Sequence, residues 1–584
     1  MEIKRGIPVS PGVAIGPAFV VETEGTRIPH RTIKKSQIDQ EIERLRKALR
    51  EAVADAHANR DAISEKLGKQ YGAIFAAHAL LIEDAELVGE IERLIAQQNY
   101  GAEYAVSRTM RRHAKALEAL NQPLFSTRAS DLFDIEKSIL SHLVGEQGGD
   151  PLQNLQEPII LLAHDLTPSQ TANLNPRMVY AFATEAGGKA SHTAIMAGVL
   201  EIPAVVGLGR TLMDVSGGDE VIVDGNRGVV ILNPDEETRE RYLVLQRQFG
   251  NFAKRLDELR ELPAETKDGV RAVLLGNIEF PQESGHCTDR GGDGIGLYRT
   301  EFLYLNKTRD PNESEQYEAY MAVLRAIGPD KPVVIRTMDL GADKLFNQAD
   351  IYLDEKNPCL GMRSVRLCLR NLVLFKTQLR AILRASPHGN LRVMFPMIST
   401  LMELRQCKMI LGDVKEELEE ERIDFNRKIP IGTMIEVPSA ALMAEEMAKE
   451  VNFLSIGTND LIQYTLAADR TNEHVASLYT AGDPSILRLI DHIIRAATKH
   501  GAEVCVCGEM SGDPIYTILL LGLGLRQLSM TPQNIPEIKK IIRSITVEEA
   551  KTVAQEALRF ETARDVNNYL REQTRRVLPE VVVN

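Results

Sequence analysis

The sequence predicts a multidomain α/β chain: a small mixed α/β domain with an inserted helical bundle, followed by a (β/α)8 barrel of the TIM type. Three observations point there. Residues 33–145 show almost nothing but helical periodicity. The stretches on either side of them alternate short apolar runs with glycine turns. Beyond residue 263, short strand-like runs alternate with longer helical ones almost to the end of the chain. The 584 residues are enough for about four domains, or fewer if one is a large barrel.

The first segment, Ile7 to Val21, reads as strands broken by Pro11, Gly12 and Gly16. Ser36 then opens a helical pattern in which Ile38, Ile42, Leu45, Leu49 and Val53 recur at spacings of four, three, four and four. Ser36 with Asp39 resembles a weak capping box. Further helices are expected over Ile74–Leu87, Glu90–Ala96, Glu103–Leu120 and Ala129–Val144, giving an antiparallel bundle. After a polar, glycine-rich break at 145–155, short strands are expected at Pro158–Ala163, Met178–Ala183, Ala204–Val206, Glu220–Val223 and Gly228–Leu232. The first strands of this domain are sought in residues 1–30, which makes the bundle an insertion.

Asp235 to Glu261 reads as a charged linker helix. Barrel strands are expected at Val270–Ile278, Gly294–Tyr298, Pro332–Thr337, Leu391–Met397, Ile431–Val437, Phe453–Ile456 and Val504–Cys507. A short eighth candidate lies at Met362–Val365, and Gln527–Met530 competes for its place. The resulting boundaries are 1–32 with 146–234 for the α/β domain, 33–145 for the bundle, 235–262 for the linker, 263–575 for the barrel and 576–584 for a tail.

Composition narrows the function. Apolar residues make up 44% and charged residues 26%, as in an ordinary globular chain. A net charge of −13 argues against a general nucleic-acid or membrane binder. The apolar run Ile518–Leu525 is too short to span a bilayer, and the opening residues do not read as a secretory signal. Six cysteines, none before Cys287, are too sparse for a disulfide framework, so a reducing cytoplasmic setting is expected.

Several constellations carry chemistry. His192 lies in Gly187-Gly188-Lys189-Ala190-Ser191-His192-Thr193, at the start of an expected helix. Unpaired amides and the positive end of a helix dipole suit a phosphorylated imidazole there. The fragment alone fits a locally capping histidine as well. Arg299 and Arg336 directly follow apolar strands, with Lys344 and Arg363 in later loops. Arginines converging at a barrel mouth bind phosphate and carboxylate through bidentate forks. Glu436 ends one strand, Asp460 follows another and Arg470 lies ten residues on. The two carboxylates suit Mg²⁺, or equally an interstrand salt bridge. Cys507 shares a strand face with Cys505 and lies nearer the mouth, where a thiol can protonate a carbanion or simply pack.

The stretches SPGVAIGPA from Ser10, DLTPSQTA from Asp165, EAGGKASHTAIMA from Glu185, GIGLYRTEFLY from Gly294, IRTMDLGADK from Ile335, FPMI from Phe395, MIEVPSA from Met434, SIGTNDLIQYTLAADR from Ser455 and CGEMSGD from Cys507 closely resemble the enzyme I family of the bacterial phosphoenolpyruvate-dependent sugar phosphotransferase system. The likeness covers nearly the whole chain. It implies a swivelling phosphohistidine domain and a ping-pong reaction. Phosphoenolpyruvate phosphorylates His192 and leaves as pyruvate, and His192 passes the phosphoryl group to a histidine of the small carrier HPr. It further implies that Thr167 supports His192 and that Arg299 and Arg336 hold phosphate. Asn459 and Arg470 then fix phosphate or carboxylate, and Lys344 and Arg363 share the basic pocket. Glu436 and Asp460 carry Mg²⁺, and Cys507 protonates C3 of the enolate. The bundle docks HPr and the barrel mediates a homodimer.

The rival readings are the nitrogen-system paralogue, an ATP-dependent swinging-histidine enzyme, and an inactive regulator that binds HPr. An ATP module of some hundreds of residues and an extra N-terminal sensory domain are not seen in the sequence, and the intact residue set argues against the regulator. His164, where a small residue is common, and the tail from Gln573 depart from the family pattern.

Overall fold

The computed structural model describes the chain apart from residues 22–32, 68, 119–122, 145–154, 156, 167–169, 171–173, 176, 189–196, 198–201, 210–214, 216–217, 305–308, 342–356, 471, 473 and 580–584. It forms two compact units, residues 1–251 and 252–583. The first carries an eight-stranded sheet built from β1 (Glu2–Arg5), β2 (Ile7–Ser10), β3 (Val13–Val21), β4 (Ile159–Ala163), β5 (Val179–Thr184), β6 (Ala204–Val206), β7 (Glu220–Asp224) and β8 (Val229–Leu232), in the order β1-β8-β7-β3-β4-β5-β6-β2. Its central strands are buried on both faces. Leu161, Ala163 and Phe182 pack on one side, and Ile160, Leu162 and Ala183 on the other. That explains why β4 reads as an unbroken apolar run rather than an alternating one.

β3 pairs in parallel with β4, Ala18 opposite Ile160 and Val21 opposite Ala163. Between these two neighbours the chain runs through helices Ile38–Leu67, Lys69–Ile82, Ala85–Gln98, Ala102–Glu118 and Pro123–Val144. The helices bury their own core of Leu45, Ala52, Ile91, Ile95, Met110 and Ile139. The expected single helix across 74–87 is two helices. Asp84 accepts hydrogen bonds from the amides of Glu86 and Leu87 at 3.0 and 2.8 Å, so its side chain caps a new helix and breaks the old one. The bundle's entry lies earlier than the Ser36–Asp39 pair suggests. A 3₁₀ turn spans Lys35–Gln37, and Gln37 Oε1 accepts from the Lys34 amide at 3.1 Å.

Helix Glu236–Asp257 leads out of the first unit. The second is a closed parallel barrel of β9 (Val273–Ile278), β10 (Ile295–Tyr298), β11 (Pro332–Arg336), β12 (Asn390–Phe395), β13 (Ile431–Ile435), β14 (Phe453–Ile456), β15 (Glu503–Val506) and β16 (Gln527–Met530). β16 closes on β9, Gln527 opposite Val273 and Met530 opposite Gly276. Met362–Val365 is therefore not a strand. Its backbone meets Gly341 in one isolated bridge at Arg363, Ser364 takes a positive φ of 56°, and helix Ser364–Arg370 begins there. The true eighth strand reads QLSM, and its inward Ser529 hydroxyl, 2.6 Å from Asn277 Oδ1, hides it from a hydropathy reading. Leu297, Val334, Met394, Met434, Phe453 and Cys507 fill one buried cluster, while a larger apolar layer joins the strands to the outer helices.

Candidate active site

All the barrel strands are parallel, so their C-terminal ends share one rim, where active sites of this architecture form. Arg299 directly follows β10, Arg336 ends β11, Glu436 follows β13, Asn459 and Asp460 follow β14, and Cys507 follows β15. Asp339 lies three residues past β11. Its Oδ1 accepts from Arg363 Nη2 at 2.9 Å, and its Oδ2 lies 3.1 Å from Arg336 Nη1. Arg336 Nη2 donates to Glu301 Oε1 at 2.9 Å, and the same oxygen takes the Asp339 amide at 2.9 Å. Arg336 Nε is buried without a hydrogen-bond partner among the described residues.

Charge is concentrated here. Asp339, Glu436 and Asp460 each offer a carboxylate oxygen, all within 4.8 Å of one another. Burial, reinforced by the Asp339 and Asp460 carboxylates, pushes the Glu436 carboxyl up to about 8 despite Arg336. Burial pulls Asp339 the same way, but Arg336 and Arg363 outweigh it and hold that carboxyl below its ordinary value. Glu436 Oε1 is fixed by the Met397 amide at 2.6 Å. A Cβ on Gly457 would come within 2.9 Å of Glu436 Oε2, so glycine leaves room for the carboxylate.

At the same rim, Arg299 Nη1 donates to Glu279 Oε1 at 2.6 Å. Asn459 Nδ2 and Arg470 Nη1 both donate to Glu509 Oε1, at 3.0 and 3.4 Å. Cys507 is 2% exposed, and its Sγ lies 3.6 Å from the Ile456 carbonyl. Burial pushes the thiol up to about 11, against the pull of the Ser455 hydroxyl and the two nearby arginines, so it is protonated at neutral pH. A protonated thiol beside a cationic pocket and a carboxylate triad suits an enolate formed from a phosphorylated substrate.

The barrel thus brings Arg299, Arg336, Arg363, Glu436, Asn459, Asp460, Arg470 and Cys507 to one rim. His192, Thr167 and Lys344 lie outside the described residues. His164, flagged as a departure, places Nδ1 2.8 Å from Glu185 Oε2. Asp339, Glu301, Glu279 and Glu509 were missed as site residues, although each lies within three residues of a barrel strand's end. The position rule applied to the arginines would have found them.

Profiles of phosphoenolpyruvate-utilising enzymes match the chain in three pieces: the N-terminal domain over residues 5–128, the mobile domain over 155–228 and the phosphoenolpyruvate-binding domain over 253–547. The phosphoenolpyruvate-protein phosphotransferase of Geobacillus stearothermophilus is 44% identical over 567 residues, 97% of each chain. The chain belongs to the phosphoenolpyruvate-protein phosphotransferase family. The corresponding proteins of Listeria monocytogenes and Staphylococcus aureus are 41% and 40% identical, covering 98% and 97% of this chain and 99% of each relative. Family membership implies dependence on a divalent metal, and a cluster of oxygen donors alone is the donor set that such an ion takes. No described helix is long and apolar enough to cross a membrane.

Proposed function

We propose that the chain transfers the phosphoryl group of phosphoenolpyruvate to His192 and from there to a histidine of the carrier HPr, as the first step of sugar uptake by the phosphotransferase system. The observation that carries this is the rim itself, where buried cations, a carboxylate triad and a protonated thiol meet. Arg299 and Arg336 grip the phosphate, and Asn459 and Arg470 orient the substrate's remaining oxygens, with Arg363 and Lys344 in the same basic pocket. The P–O bond breaks as the N–P bond to His192 forms, with Thr167 supporting the imidazole. The Cys507 S–H proton goes to C3 of the departing enolate, giving pyruvate, and solvent returns a proton to sulfur. Mg²⁺ would be held by Glu436 and Asp460, with Asp339 as a third ligand. When bound, it offsets negative charge developing on the substrate oxygens.

HPr has a seat on the bundle, where Leu80 and Phe133 are exposed. A second copy of the chain has one on the barrel, where Val373, Met402, Met409, Leu442 and Met443 are exposed on the outer helices. The test uses purified full-length protein with phosphoenolpyruvate, Mg²⁺ and HPr, without ATP. The wild type should gain one acid-labile phosphate by intact mass and release pyruvate, and phospho-HPr should appear. His192→Ala should fold and do none of this. Retained acid-labile phosphate in that variant would place the acceptor elsewhere, and a requirement for ATP would overturn the reaction.

A further inference from the structure

Glu509 is two residues beyond Cys507, on a 3₁₀ turn that follows β15, with its side chain 78% exposed. An exposed carboxylate at a rim that receives an anion is an electrostatic cost unless it performs a task there. Its contacts are specific. Oε1 accepts from Asn459 Nδ2 at 3.0 Å and from Arg470 Nη1 at 3.4 Å, and the Glu509 amide donates to Asn459 Oδ1 at 2.9 Å. Bonding on both edges of the Asn459 carboxamide sets which end is oxygen and leaves one of its two N–H donors for a ligand. The Arg470 bond uses one of five guanidinium N–H donors. Glu509 therefore orders both groups without using up their donors.

The turn that carries Glu509 is itself held in place. A Cβ on Gly508 would overlap Thr458 Oγ1, so the loops after β14 and β15 pack backbone against side chain. The Asn459 carbonyl accepts from the Tyr479 hydroxyl at 3.3 Å, and the Arg470 amide donates to Gln463 Oε1 at 3.4 Å. Cys507, Glu509, Asn459 and Arg470 thus form one tied unit.

We propose that Glu509 is a positioning residue that orients Asn459 and Arg470 for the substrate anion and ties them to the loop carrying the proton donor. This rests on the reading of Asn459 and Arg470 as substrate ligands. The test is steady-state kinetics of the full chain with phosphoenolpyruvate, Mg²⁺ and HPr for Glu509→Ala, Glu509→Gln and Arg470→Ala, together with thermal unfolding. Glu509→Ala should raise KM for phosphoenolpyruvate roughly five- to tenfold, a fraction of what an exposed ion pair and a hydrogen bond to a charged group contribute, because Asn459 and Arg470 themselves remain. Its thermal midpoint should match the wild type. Glu509→Gln should recover most of the loss, because its amide oxygen still accepts from Asn459. On an Arg470→Ala background Glu509→Ala should still raise KM by the share that runs through Asn459. A fall in KM for Glu509→Ala would make the carboxylate a competitor for Arg470 and overturn the inference. So would an unchanged KM while Arg470→Ala raises it, which leaves the site reading intact. An unchanged KM in Arg470→Ala itself would overturn both.

Discussion

Asp339 accepts a hydrogen bond from Arg363 at 2.9 Å although 24 residues separate them, and it does so in a buried pocket at the barrel rim. Its other oxygen faces Arg336 at 3.1 Å, so one carboxylate serves two guanidinium groups. Removing one partner of a buried pair leaves the remaining charge uncompensated, at a cost of about 3–5 kcal/mol. We expect Asp339→Asn to lose about 3 kcal/mol in urea unfolding of the barrel, since Glu301 and Asp460 still face the arginines. The depressed Asp339 carboxyl gives stability that is present above its unfolded pKa and lost as pH falls below the ordinary carboxylate range. The wild type should therefore lose more stability than the variant between neutral and acid pH. Equal losses would show that the pair does not store this energy.

Glu436 has the opposite sign. Its carboxyl is raised to about 8, so the folded metal-free protein keeps a proton that the unfolded chain releases. The contribution is fully present below the unfolded value near 4.5 and is lost as pH rises through about 8. Metal binding needs the deprotonated carboxylate, so Mg²⁺ affinity should climb by up to about tenfold per pH unit from 6 to 8 and then level off. Calorimetry at pH 7 in buffers of different ionisation heat should show nearly one proton released per ion. Glu436→Gln should release none and bind weakly. A pH-independent affinity in the wild type would mean that Glu436 is already ionised.

The parts of this architecture that follow chain-local rules were readable, and the parts set by neighbours were not. Phe453–Ile456 and Ala204–Val206 match their predicted spans because they are short, largely apolar and buried throughout. β16 was only a competitor, since the reason for Ser529 lies in Asn277, 252 residues away. The arginines of the site announced themselves by following strands. Asp339 did not, because a carboxylate after a strand is common and its meaning comes from Arg363 and Arg336. The motif around His192 drew its force from the resemblance, since a histidine at a helix start has a local explanation too.

The six cysteines differ in exposure, and two of them contrast sharply in chemistry. Cys359 is exposed, while Cys287, Cys368, Cys407, Cys505 and Cys507 are buried. With its thiol raised to about 11, Cys507 is thiolate in only about one molecule in ten thousand at pH 7. Iodoacetamide at neutral pH should therefore label Cys359 first, and a single early adduct by mass spectrometry should leave phosphotransfer intact. The same raised value keeps a proton on sulfur for C3. Cys507→Ala removes that proton and no charge, so phosphoenolpyruvate affinity should stay within about threefold of wild type, because Arg299, Arg336 and Arg470 remain. Pyruvate formation should slow, and stereospecific protonation should be lost, since the enolate then takes its proton from solvent on either face. Turnover in deuterated water with phosphoenolpyruvate labelled stereospecifically at C3 reads this directly. Chiral pyruvate formed at the wild-type rate by Cys507→Ala would return the thiol to a packing role beside Met434 and Phe453.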